Sequence, residues 1–343
     1  MEGKSGFYAV VKRLFQRYFI DAMGGMGLGL FSSLIIGTII GQIMELPFLA
    51  DAQAVLDALP HISAATGAAI GVGTAWGMKV RPLVLFSSAA TGTLGYALGG
   101  PVGAYLSAVV GAELGTLVAG KTPIDIVLTP LVTVCTGGLT GIFVGPGVNA
   151  FMTDLGAFVN TATELQPIPM GIVIAVVVGL ALTAPISSAA ICMSIGIDGI
   201  AAGAACIGCC CQMVGFAVAS YRDNGLGGLF SQGVGTSMLQ FPNIMRRPQI
   251  WLAPTLASAV LGPVSTAVLG MTNTPYGAGM GTSGLVGPLQ AFEAMGATHS
   301  FWSILLLVAV FYFLVPAGLT LAFDALFRRI GWVRPGDMKL QKL

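Results

Sequence analysis

Charge is what this sequence has least of. Asp, Glu, Lys and Arg together make up 8% of its 343 residues and sum to a formal net charge of +1. Water-soluble proteins carry roughly 25% charged residues, so an ordinary solvated surface is excluded, and the near-neutral balance gives a nucleic-acid backbone little to bind. Histidine is almost missing too, with only His61 and His299 present; both read as interfacial rather than as phosphoryl carriers. There is no Walker loop, catalytic triad or dinucleotide fingerprint, so no catalytic residue and no cofactor follows from the motifs. Nor is there the apolar and polar alternation over about ten residues that marks a membrane β-strand.

Cysteine is present but poorly placed for chemistry. Cys135, Cys192, Cys206, Cys209, Cys210 and Cys211 all sit inside apolar runs. The C-x-x-C spacing at Cys206 and Cys209 has no histidine or further acid beside it, whereas a metal or redox site needs thiolates in polar, electropositive surroundings. The cluster therefore reads as small packing residues, with no metal assigned.

What the chain does have is apolar length. It is 55% hydrophobic with 49 glycines and a mean hydropathy of +0.87, the composition of an all-α, polytopic membrane protein. At about 20 apolar residues per helical crossing, about ten transmembrane helices fit. Apolar segments fall at residues 24–44, 61–78, 82–119, 126–144, 170–197, 199–221, 225–245, 251–269 and 301–323. The third is expected to be two spans meeting at Gly99, Gly100 and Pro101, and the fourth to stop at Gly145, Pro146 and Gly147. Residues 149–166 are expected at the outer surface. Residues 7–22 set Phe7, Val11, Leu14, Phe15, Tyr18 and Phe19 against Lys12, Arg13, Gln16 and Arg17, an amphipathic interfacial helix. Basic residues at Lys79, Arg81, Arg246, Arg247, Arg328, Arg329 and Arg334, with acids at Glu45, Asp51 and Asp57 between them, put both termini in the cytoplasm by the positive-inside rule. The expectation is one multi-pass domain over residues 1–343, in the cell (inner) membrane.

The organising stretch is residues 182–240, where Pro185, Ser187, Ser188, Asp198 and Gln212 interrupt an apolar run. A bilayer tolerates broken helices only where they face protein or a watery cavity. Three segments share a G-x-G-T-[A/S] pattern, at residues 71–75, 233–237 and 279–283. Such a segment suits the mouth of a half-helix, whose free N–H groups bind solute oxygens; equally, small residues let helices approach closely. The copy at 71–75 is assigned to packing. The other two keep both readings, which makes Thr236, Ser237, Thr282 and Ser283 candidate binding groups. Ser187 and Ser188 either repair the Pro185 kink or face a ligand, and Gln212 either binds solute or bonds between helices. Residues 273–297 are too polar for a span and form a re-entrant candidate. Among the intramembrane acids Glu113, Asp198 and Glu293, Asp198 reads as a loop marker and Glu293 as the better binding candidate.

Three blocks carry a resemblance: PISSAAI (185–191), GCCCQMVGFAVASYRDNGLGGLFSQGVGTSMLQFPNI (208–244) and NTPYGAGMGTSGLVG (273–287). They resemble EIIC-like membrane proteins of the phosphotransferase system, in particular the PfoR-type branch, from the first span nearly to the chain end. The resemblance implies a homodimer of multi-span subunits with re-entrant hairpins and a sugar-type site. By position it carries ligand-facing roles to Ser187, Ser188, Gln212, Asn273, Thr282 and Ser283, with Glu293 added on the argument above. Sugar EIIC subunits work with IIA and IIB partners, which this chain does not contain, so any phosphotransferase activity would need separate partner chains. The Gly-Ile-Thr-Glu-Pro motif of glucose-type subunits is also absent. The expected function is binding and translocation of a polar, sugar-like solute by alternating access. The regulatory association of the PfoR-type branch supplies the alternative, a non-transporting membrane sensor that binds a small solute and signals to a partner.

Overall fold

A computed structural model of the chain describes residues 10–37, 40, 64–184 and 187–340. Pro185, Glu45, Asp51, Asp57, His61 and residues 7–9 of the interfacial segment lie outside the described residues. Every named element is a helix, and the only β pairing among the described residues is an isolated bridge between Gly199 and Asn273. Among the described residues five helices are long and apolar enough to cross a membrane: Pro82–Val118, Asp125–Leu165, Gly199–Ala219, Pro248–Leu269 and Phe301–Arg329. Pro167–Thr183 is a shorter apolar helix. The chain divides into two compact units, Met1–Asp154 and Leu155–Leu343.

In the first unit the reversal expected near residue 100 is present. Gly100 has φ +59° and ψ −156° inside Pro82–Val118, a backbone state open to glycine and strained for other residues. The two arms fold back on each other, so that a Cβ on Gly95 would meet the Gly103 carbonyl oxygen at 2.4 Å. Thr91, Ser107 and Thr133 are buried along this hairpin. The helix that follows does not stop at Gly145, Pro146 and Gly147. Asp125–Leu165 runs through both Pro130 and Pro146, because a proline frees one carbonyl and bends a helix without ending it when neighbours support it. Residues 149–165 are therefore helix. Near the start of the unit, the π-helical turn Gln16–Ala22 carries Arg17. Its Nε lies 2.7 Å from Glu113 Oε1, and the Tyr18 hydroxyl donates to the same oxygen at 3.0 Å. Val10, Val11, Leu14, Phe15 and Phe19 remain exposed, as an apolar face meant for an interface would be.

The second unit is built around Gly199–Ala219, nearly all of whose residues are buried. Alanine, glycine and cysteine dominate this helix, and their small side chains let neighbouring backbones come close. A Cβ on Gly208 would lie 2.0 Å from the Ala175 carbonyl oxygen of Pro167–Thr183. Cys206, Cys209, Cys210 and Cys211 are completely buried, while Cys135, in the first unit, is exposed. Residues 225–245, expected as a span, are instead short pieces: Tyr221–Phe230 broken at Gly225, then Ser231–Gly235, Ser237–Gln240 and Phe241–Arg246. Residues 273–297 are likewise discontinuous, as Pro275–Ala278, Ser283–Leu285 and Val286–Met295.

The last described residues are strapped to the first of these broken segments. The Met338 carbonyl accepts from Asn224 Nδ2 at 2.9 Å and Gln240 Nε2 at 2.8 Å, and the Lys339 carbonyl accepts from Asn243 Nδ2 at 3.0 Å. Behind them, Gln240 Nε2 also donates to Gln232 Oε1, and Gln232 Nε2 to Ser220 Oγ. The result is a buried amide chain that satisfies its own polar atoms.

Candidate functional site

Gln212 is the polar centre of the second unit. It is fully buried in the middle of Gly199–Ala219, where an unpaired amide would cost about 1–3 kcal/mol. Its Oε1 accepts from Thr183 Oγ1 at 3.2 Å and Trp251 Nε1 at 3.0 Å, and its Nε2 donates to Thr255 Oγ1 at 3.3 Å. Thr183 ends Pro167–Thr183, and its hydroxyl lies 2.8 Å from Ser237 Oγ. Helix ends, a mid-helix amide and a broken segment thus share one knot.

A second set of bonds joins the broken segments to each other. The Thr282 hydroxyl donates to the Gly233 carbonyl at 2.5 Å, and the Ser283 hydroxyl donates to the Gly235 carbonyl at 2.9 Å. The two G-x-G-T-S copies therefore meet, one supplying hydroxyls and the other carbonyls. Ser188 Oγ donates to the Gly279 carbonyl at 2.6 Å, which brings the segment after the Pro185 position onto the same junction. Thr282 Oγ1 also lies 3.7 Å from Met213 Sδ, beside the Gln212 knot. Ser187 and Thr236 act as caps: Ser187 Oγ accepts from Ala190 N at 3.3 Å, and Thr236 Oγ1 accepts from Met238 N at 3.2 Å. Ser188, Gln212, Ser237 and Thr282 are buried, whereas Ser187, Thr236 and Ser283 are half-buried and Gly235 and Gly284 are exposed. The junction thus has an accessible edge.

Asn273 is occupied by the backbone. Its N–H donates to the Gly199 carbonyl at 3.1 Å, its Nδ2 donates to the Gly287 carbonyl at 3.0 Å and the Tyr312 hydroxyl at 3.2 Å, and its Oδ1 accepts from Thr274 N at 2.8 Å. Each half of the amide has a partner, so this side chain fixes the path of residues 273–287. Glu293 is exposed on Val286–Met295. Asp198 caps Gly199–Ala219, its Oδ1 accepting from Gly199 N at 2.8 Å, in keeping with a loop marker. The cysteines pack under the junction: a Cβ on Gly281, which has φ +52°, would meet Cys209 Cβ at 2.7 Å, and one on Gly287 would meet Cys206 Sγ at 2.6 Å. Their small size is what lets the glycine segment lie on the helix. The copy at 71–75 packs within Thr66–Gly77 in the first unit, with Gly73 against the Gly25 backbone.

Reading the sequence missed Thr183, Trp251 and Thr255, whose polar atoms complete Gln212. It also missed the carbonyls of Gly233 and Gly235 as partners. The available signal was spacing: Trp251 and Thr255 lie one helical turn apart, and the Thr255 hydroxyl donates to the Trp251 carbonyl at 2.7 Å.

The model of the family described as phosphotransferase system, EIIC, matches residues 20–340. This chain belongs to that family. No curated protein matches the chain. The match covers both units of this EIIC protein, including the Gln212 knot and the junction of the two G-x-G-T-S segments. With the apolar helices it makes the chain an integral membrane protein related to the sugar-specific transport components of the phosphotransferase system.

Proposed function

We propose that this EIIC protein binds a polar, sugar-like solute at the accessible edge formed by Ser187, Thr236 and Ser283, and carries it across the membrane by alternating access. The observation that carries the reading is the pairing of Thr282 and Ser283 with the carbonyls of Gly233 and Gly235. A hydroxylated solute offers the same donors and acceptors as this protein–protein pairing. It can replace the Ser283 bond at low net cost, because one hydroxyl-to-carbonyl bond is exchanged for another. Opening the junction would then expose Thr282, Ser237 and finally Gln212. Discontinuous helices of this kind serve solute sites in secondary transporters. Ser188 and Asn273 anchor the backbone in this scheme, and Glu293 supplies an acceptor farther along the same segment.

In the full reading the protein is a homodimer in the cell inner membrane with both termini in the cytoplasm. It belongs to the PfoR-type branch and works with separate IIA- and IIB-like chains wherever phosphoryl transfer accompanies uptake. Uptake of radiolabelled hexoses and hexitols into proteoliposomes tests the central claim. Saturable uptake that falls about tenfold in Ser283→Ala and in Thr236→Ala is expected, the loss of roughly one hydrogen bond each. Uptake indifferent to both substitutions removes the edge as the site. Saturable binding with no flux would transfer the protein to the sensor class.

A further inference from the structure

A cavity of about 400 Å³ lies where Gly199–Ala219 ends, Tyr221–Phe230 begins and Val315–Arg329 runs past them. Its polar lining is Arg222, Asp324 and Arg328; Val218, Leu321 and Ala325 supply apolar wall. Asp324 is 4% exposed, and its Oδ2 accepts from Arg328 Nε at 2.6 Å. One terminal nitrogen of Arg328 donates to the Ala219 carbonyl at 3.3 Å. A guanidinium has five N–H donors, so Arg328 is held by its inner edge with donors left over. Arg222 is exposed and makes no hydrogen bond or ion pair among the described residues. The neighbouring Asp223 is not part of the lining, and its Oδ1 accepts from Gly336 N at 3.1 Å. The lining thus holds two arginines against one carboxylate.

The site is also incomplete in itself. Asp324 Oδ1 is enclosed and has no donor among the described residues, although buried polar atoms ordinarily find partners. The ion pair therefore uses only one side of the carboxylate. A ligand that drew Arg222 inward, or brought its own hydroxyl as the Asp324 side chain turned, would supply the missing donor.

We propose that this cavity binds a net-anionic phosphate ester, one whose charge no attached cation cancels, through Arg222 and Arg328, with Asp324 as the positioning residue that orients Arg328. Arginine's planar fork matches the oxygens of a phosphate, where a lysine would act only as a point charge. Basic pockets among transmembrane helices take anionic lipid headgroups, and the apolar wall of Val218, Leu321 and Ala325 suits the hydrocarbon next to such a headgroup. The same chemistry would accept a soluble polyol phosphate, so the source is decided by experiment. The inference is independent of the solute site at Ser283, which involves none of these residues.

The test is native mass spectrometry of the delipidated full chain titrated with phosphatidylglycerol, phosphatidylcholine, glycerol 3-phosphate or inorganic phosphate. Arg222→Gln is the main variant, since Arg222 is exposed and unpaired and its loss should leave the fold intact. The double variant Asp324→Asn with Arg328→Gln removes the ion pair without stranding a charge. Phosphatidylglycerol should be retained about tenfold better than phosphatidylcholine and lose that advantage in Arg222→Gln at unchanged melting temperature. The double variant should lose it as well. Preference for glycerol 3-phosphate or inorganic phosphate, lost in the same variants, would support the cavity and name a soluble source. Equal retention of the two lipids with no binding of either soluble phosphate overturns the proposal, as does binding that Arg222→Gln leaves unchanged.

Discussion

The hydroxyl of Thr282 donates to the carbonyl of Gly233 at 2.5 Å, closing a loop of 49 residues between two copies of one short pattern. Thr282→Val keeps the shape and removes the donor, leaving a part-buried carbonyl without it. We expect about 1–2 kcal/mol of lost stability together with looser packing of residues 279–283 on Cys209. Thermal melting in detergent reads the first, and faster amide exchange of residues 279–287 by mass spectrometry reads the second. If exchange there is unchanged, the bond does not hold the junction.

Gln212 should behave as a structural keystone as well as a neighbour of the solute path. Gln212→Leu takes one bond each from Thr183 and Thr255 and the acceptor of the Trp251 Nε1–H, whereas Gln212→Glu keeps an acceptor for Thr183 and Trp251. The leucine variant is expected to melt well below the glutamate variant. Equal melting temperatures would place the energy of the knot elsewhere.

Close backbone contact makes a sharper prediction. A Cβ on Gly208 would sit 2.0 Å from the Ala175 carbonyl oxygen, a separation no real side chain tolerates. Gly208→Val should therefore abolish accumulation of folded protein, as judged by gel filtration after extraction. A Cβ on Gly24 would have nothing within 4 Å, so Gly24→Ala should be accepted without loss.

The ion pair between Arg17 and Glu113 separates two meanings of a membrane carboxylate. Both side chains are about one-third exposed, at 34% and 33%, and solvent-screened pairs of this kind contribute about 1 kcal/mol or less. Glu113→Gln should thus lower the melting temperature slightly and leave solute uptake intact. Loss of uptake with normal folding would give Glu113 a transport role instead.

The carboxy-terminal strap should be releasable by a single amide. Gln240→Ala removes one of the two donors to the Met338 carbonyl and breaks the link to Gln232. Trypsin is expected to cut after Lys339 several-fold faster in this variant. Unaltered cleavage would mean that Asn224 and Asn243 hold the segment without it.

The sequence was most legible where a local rule decides the structure. Gly99, Gly100 and Pro101 turn the chain back because only glycine adopts the required φ without strain, and Cys206, Cys209, Cys210 and Cys211, with no histidine or acid beside them, are buried in the packing. It was least legible where neighbours override the local signal. Pro146 reads as a stop, yet the helix continues to Leu165. Residues 225–245 pass a count of apolar positions, but Gln232, Gln240 and Asn243 pair with one another and with residues 338–339, a contact across about a hundred positions that no window can see. The same applies to the candidate site. Ser188, Thr282 and Ser283 could be picked out as hydroxyls beside broken helices, while their partners are backbone carbonyls, which carry no sequence signature.

Burial sorts the cysteines in a way that is useful at the bench. Cys192, Cys206, Cys209, Cys210 and Cys211 are sealed inside the second unit, and only Cys135 is exposed among the described residues. The protein as it stands is thus close to a single-thiol scaffold. An apolar maleimide fluorophore or nitroxide able to enter the detergent micelle should mark Cys135 alone, so whether two copies associate could be tested by double electron–electron resonance without removing any of the five buried thiols.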